Sequence, residues 1–185
     1  MKKLKFTIVS TALIVAASLA SASIVQKLDV PDLTRLSHAV FVGQVIDSRS
    51  AWNPKHEYIQ TFSRVRVDQP AKGIGCAGMT VTVRELGGSV GDYNQELIGG
   101  ATYKPGESVL LFLQHAKDGT PGIFQTVALS EGKFLVSTDS QTGRQIAVPA
   151  AHDLEFADEK PTMFDHCPVD LDIVLDEIHR HASDR

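Results

Sequence analysis

The stretch Gly87 to Gly91 has the form G-x-S-x-G, the turn that presents a nucleophilic serine in hydrolases. That chemistry needs a strand before Ser89, a helix after it, and a histidine and a carboxylate brought alongside. A strand pattern does precede Ser89, but Asp92 to Glu96 runs into further glycines with no helical apolar spacing. His152 and Asp139 lie downstream, and no spacing brings them near Ser89. The expected reading is a surface glycine loop, with an exported hydrolase built on Ser89 as the alternative.

The tail offers a second chemistry. His152, His166, His179 and His181 fall there beside Glu155, Asp158, Asp165 and Cys167, all metal-ligating types. Their spacing matches no ligand grammar: His179 and His181 are two apart on a helical pattern and point to different faces, and no H-E-x-x-H occurs. No metal and no cofactor is predicted; were a metal to bind, His166 and Cys167 would be its ligands. Trp52, Tyr58, Tyr93 and Tyr103 are the aromatics set nearest loops, able to form a binding face with Ser89 and Asn94, although Tyr58 and Tyr103 could instead complete the core.

The N-terminus sets the compartment. Lys2, Lys3 and Lys5 precede an uncharged run from Phe6 to Leu19, and Ala20-Ser21-Ala22 follows as an A-x-A cleavage site, which reads as a secretory signal peptide over 1–22. The run is too short to span a bilayer, and Ser23 at the new N-terminus offers no cysteine for a lipid anchor. The predicted product is periplasmic or secreted, with no membrane anchor. There Cys76 and Cys167, the two cysteines, would meet oxidising conditions and are expected to bond, for roughly 4–5 kcal/mol of loop-closure stabilisation. Two free thiols are the alternative.

The 185 residues carry 18 basic and 22 acidic side chains, which suits one domain. Residues 23–150 hold 12 of each sign, whereas 151–185 hold three basic against ten acidic. Neither part concentrates lysine and arginine as phosphate binding demands, so a nucleic-acid partner is not expected.

Strands must position these groups. Pro31 to His38 reads as a brief helix with Leu33 and Leu36 three apart, packing as a lid. Ala39 to Ile46 is a β-branched strand whose interior Gly43 marks a bulge. A second strand, Tyr58 to Asp68, turns Val65 and Val67 to one side and Arg64 and Arg66 to the other, and ends where Gln69 to Gly73 breaks the pairing. Met79 to Arg84 alternates cleanly, and Gly87 to Gly100 is expected as an exposed loop. After a turn at Pro105-Gly106, Val109 to Leu113 is a strand buried on both faces. Ile123 to Ala128 and Lys133 to Val136 are expected as a hairpin, with Gln145 to Val148 as an edge strand. Recurring turns without βαβ alternation argue for a small antiparallel barrel or sandwich over 23–150. In the acidic tail, 151–185, Asp170 caps an amphipathic helix with Leu171, Val174, Leu175 and Ile178 on one stripe and Val169 placed to staple against Val174, so the helix should dock on the barrel.

One order of features spans residues 28–137 together with that helix: Leu36 to Ala39, Val40 to Val45, Ala71 to Gly73, Met79 to Val83, Leu86 to Gly91, Tyr103 to Glu107 before Val109 to Leu113, and Glu131 to Phe134. It resembles a family of exported bacterial proteins of unknown function whose barrel is similar to the OB-fold, in the manner of netrin-like and tissue-metalloproteinase-inhibitor domains. The resemblance implies a mainly β, OB-like barrel with a short N-terminal helix and a C-terminal amphipathic helix, and export; it supplies no catalytic residues. Metalloproteinase inhibitors chelate zinc through an N-terminal cysteine, where this chain has Ser23, so that mechanism is not implied. The functional expectation is an exported, non-enzymatic binding protein that engages an extracytoplasmic protein or other ligand through 87–104 and neighbouring strand ends; the alternative is an exported hydrolase using Ser89 or a tail metal site. A narrower version makes the partner a secreted protease.

Overall fold

The computed structural model describes residues 24–25, 27–73, 76–150, 155–156, 162–165 and 168–182. In chain order the elements are β1 (Ile24–Val25), α1 (Val30–Leu36), β2 (Ala39–Trp52), β3 (Ile59–Lys72), β4 (Thr80–Leu86), β5 (Gly88–Val90), β6 (Tyr93–Gln95), β7 (Ser108–His115), β8 (Ile123–Thr126), β9 (Lys133–Thr138), β10 (Gln145–Pro149), β11 (Glu155–Phe156), β12 (Val169–Asp170) and α2 (Leu171–Ala182). A 3-10 turn over Leu129–Gly132 separates β8 from β9. The predicted signal-peptide segment, 1–22, and His152, His166 and Cys167 lie outside the described residues.

Strands β7, β2, β3, β4 and β8 pair in that order, and β8 returns to β7, so five strands close a ring. The chain is therefore a mainly β protein with a small OB-like barrel and two helices. Closure is antiparallel except at β4–β8, where Thr82 and Val83 run parallel to Ile123 and Phe124. Closing the ring removes the open edges that five strands would otherwise present.

Strand β2 is long because it serves two partners, β3 along its length and β7 over Ala39–Gln44. Its register shifts between Val42 and Gly43, the bulge that the interior glycine signals. A Cβ on Gly43 would stand 2.2 Å from the Arg66 carbonyl oxygen, so the two backbones approach as only glycine permits. Contrary to expectation, β3 does not stop at Gln69: a further shift at Phe41 keeps Pro70 and Lys72 in register with β2.

The expected hairpin of Ile123–Ala128 with Lys133–Val136 does not form. Both segments compete for the same edge of β7 and divide it, β8 taking Leu113–His115 and β9 taking Val109–Leu111. Thus β7 is the branch strand, which explains why Val109 to Leu113 are all fully buried. Strand β9 leads on to β10 and β12, a wing extending from the barrel, and β10 is an inner strand of that wing rather than its edge.

Two cores follow from this branching. Inside the barrel, Phe41, Val65, Val67, Val81, Val83 and Leu111 cluster. On the outer side of β7, Phe112 and Phe134 meet Val30 and Leu33 of α1 and Leu171, Val174, Leu175 and Ile178 of α2. Asp29 caps α1 by accepting from the Asp32 N–H at 2.9 Å, and Asp170 accepts from the Asp172 N–H at 3.3 Å at the start of α2. Val169 packs on the same cluster as Val174. Leu36 departs from expectation, being 53% exposed, because α1 ends there and its seated stripe is Val30, Leu33 and Thr34.

Candidate functional site

The predicted loop 87–104 is partly a hairpin. Gly87 begins it by donating its N–H to the Ile59 carbonyl, and β5 then pairs with β6, with Ser89 opposite Asn94. Gly88 lies against β2 and β3: at φ +123° a Cβ would sit 2.3 Å from both the Ser50 and Thr61 hydroxyls. Thr61 donates to the Gly87 carbonyl at 2.6 Å and Gln95 Oε1 accepts from the Ile59 N–H at 2.7 Å, so the hairpin is fixed to the barrel wall at both ends.

Ser89 sits in a strand of this hairpin, exposed, and donates its hydroxyl to Asn94 Oδ1 at 2.7 Å. The strand-to-helix turn of a nucleophilic serine is not formed, because Gly91 and Asp92 turn the chain directly into β6. Tyr93, 66% exposed, makes an edge-to-face contact with Trp52 at 5.4 Å, and His56 stacks on Trp52 at 6.0 Å. Trp52, Tyr93, Ser89 and Asn94 are therefore gathered at one end of the barrel.

Tyr103 is not a surface aromatic. The chain after β6 folds inward, and Ala101 and Tyr103 join the barrel's interior cluster. The Tyr103 hydroxyl bonds Thr126 Oγ1 at 2.5 Å, and Thr126 donates both its N–H and its hydroxyl to Glu85 Oε1, at 2.8 and 2.6 Å. Burial pushes the Glu85 carboxyl up to about 7 against these bonds, which pull the other way, and burial raises the Tyr103 hydroxyl as well. Lys133, almost wholly buried, reaches Glu107 at 2.7 Å, donates to the Thr102 carbonyl, and lies 4.9 Å from the Tyr103 ring centre.

Between the hairpin and these groups lies a cleft of about 710 Å³. Its walls bring Glu85, Tyr103 and Lys133 together with Ser89, Asn94 and Ser130. Ser130 is only 4% exposed and its Oγ has no hydrogen-bond partner. Its N–H is bonded to the Gly99 carbonyl, so the loop is held at the backbone while the hydroxyl stays unpaired. Leu86, Tyr93 and Ile98 give exposed apolar surface at this end.

Glu85, Lys133 and Ser130 are the site residues that sequence reasoning missed. The signal for Glu85 was present: in Thr80 to Leu86 the alternation that turns Val81 and Val83 inward also turns Glu85 inward, a carboxylate where the pattern calls for an apolar residue. Lys133 shares its face of β9 with Leu135 in the same way. Outside the cleft, Arg64 pairs with Asp47 and Arg66 with Asp68 on the outer barrel face. Cys76 is exposed before β4, and its expected partner Cys167 lies outside the described residues. His181 bonds Glu177 at 3.1 Å while His179 is exposed. Among the described residues no helix is long and apolar enough to cross a membrane.

No protein-family description matches this chain, and no curated protein matches it.

Proposed function

We propose that the protein is an exported, non-enzymatic binding domain that takes an extracytoplasmic ligand in the cleft between the 88–95 hairpin and the barrel end. The observation that carries this reading is the cleft itself, about 710 Å³ between the hairpin and the barrel end, with Glu85, Ser89 and Asn94 in its walls. The cleft volume falls in the range of small-ligand sites, and its walls combine a few directed polar groups with apolar surface nearby. The hairpin is a loop element on a rigid barrel, where recognition commonly resides. Ser89, bonded to Asn94 within the hairpin, contributes a polar contact here rather than a nucleophile.

The test is equilibrium capture from concentrated periplasmic and culture fluid, read by native mass spectrometry, beside a variant in which residues 88–95 are replaced by a short turn. A retained mass lost with the hairpin supports the reading. Hydrolysis of a chromogenic ester that disappears on Ser89→Ala alone contradicts it and restores the hydrolase alternative.

A further inference from the structure

We propose that the cleft selects a cationic ligand whose ammonium or guanidinium group meets the Glu85 carboxylate; the inference rests on the reading of the cleft as a binding site. The charged residues lining the cleft are Glu85, Glu96 and Glu107 against Lys104 and Lys133. Lys133 is already committed: its ammonium donates to Glu107 Oε2 and the Thr102 carbonyl and lies over the Tyr103 ring. Glu107 Oε2 also accepts from the Lys104 N–H at 3.1 Å, so this pair cancels in charge and holds the loop. Glu96 and Lys104 are exposed and opposite in sign, so the charge that remains inside is Glu85.

Glu85 is half satisfied. Its Oε1 accepts both bonds from Thr126, while its Oε2 has no hydrogen-bond partner among the described residues. Burial resists ionisation at this carboxyl, and a bound cation would restore it by supplying the missing charge and the donors for Oε2. An anionic ligand would meet Glu85 with Lys133 already neutralised, and a neutral one would leave the carboxylate desolvated without compensation.

Two sources carry this chemistry, a small free cation and the basic side chain of a peptide. The experiment is an amide chemical-shift titration of the protein at pH 8 with n-butylguanidinium, its neutral isostere n-butylurea, n-butyrate, and blocked tripeptides centred on arginine or citrulline. The expected result is about tenfold tighter binding of each guanidinium probe than of its urea isostere, the scale of a charge-assisted hydrogen bond, with shifts at Glu85, Thr126 and Ser130. Glu85→Gln, which keeps the acceptor for Thr126, should erase that preference, and the charged-against-neutral comparison on the unaltered protein stands without the variant. Tighter binding of the arginine tripeptide than of n-butylguanidinium assigns the source as a peptide, and the reverse order assigns it as a small cation. Cleft shifts with equal affinity for charged and neutral probes, or with n-butyrate preferred, overturn the inference while leaving the cleft as a binding site. No shift in the cleft with any probe overturns both.

Discussion

The Tyr103 hydroxyl stands 2.5 Å from Oγ1 of Thr126, and Thr126 passes its own hydroxyl proton bond to Glu85. A loop residue, a residue of β8 and a residue of β4 thus form one buried relay across the parallel seam of the barrel. The relay ties the cleft to barrel closure.

Stability should therefore fall as pH rises through neutrality at this one group. Glu85 has its folded-state value raised to about 7 from an ordinary 4.5, chiefly by burial, with Thr126 and the Arg84 charge opposing. The folded state then binds more protons than the unfolded one between these values, so its contribution is fully present below the lower value and is lost as pH rises through the upper one. Glu96, Tyr103, Lys104, Glu107 and Lys133 are the other charged or titratable groups lining the cleft. Thermal melting at pH 5 and pH 8 should show the loss in the unaltered protein and a smaller one in Glu85→Gln. Identical pH profiles for the two would contradict this assignment.

Lys133→Met should cost about 3 kcal/mol, because it leaves the Glu107 carboxylate facing the cleft without its cation. Adding Glu107→Gln should return part of that loss, since the orphaned charge goes with it. Urea denaturation of the two single variants and the double variant measures the coupling directly.

On α2, Ile178→Ala should cost about 2–5 kcal/mol, as the side chain is fully buried in the outer core. Ile173→Ala on the same helix, 53% exposed, should stay within about 0.5 kcal/mol. Equal costs for the two would mean that α2 is not docked by the stripe Leu171, Val174, Leu175 and Ile178.

Gly88→Ala should loosen the hairpin, since the added methyl would clash with the Ser50 and Thr61 hydroxyls at a φ that L side chains rarely adopt. Faster amide exchange across 88–95, with the outer core unaffected, is the expected signature.

A Cys76–Cys167 bridge predicts that a peptic digest contains one joined peptide that separates on reduction, with roughly 4–5 kcal/mol lost from the folded state. Identical peptide masses with and without reductant would contradict it.

Much of the barrel was legible because its strands follow simple periods. Val65 and Val67 alternate with Arg64 and Arg66, Gly43 marks its bulge, and Val109 to Leu113 announces a strand covered on both faces. Pairing was not legible: β8 and β9 are neighbours along the chain, yet both add to β7, a choice made by barrel closure and not by either segment. Tyr103 shows the same limit, for its type is equally at home on a surface and in a core, and the inward fold of 100–103 decides. Glu85 differs, since its inward phase is written in the alternation of β4; reading that strand as merely half-buried obscured the one carboxylate on its apolar side.

The most direct test of the central claim is where a captured ligand touches the protein. Chemical-shift mapping with the molecule retained from periplasmic or culture fluid should concentrate its perturbations on Glu85, Gly88, Tyr103, Ser130 and Lys133. Perturbations confined to the Arg64 and Arg66 face or to α2, with these five residues unmoved, would contradict the cleft as the site of function.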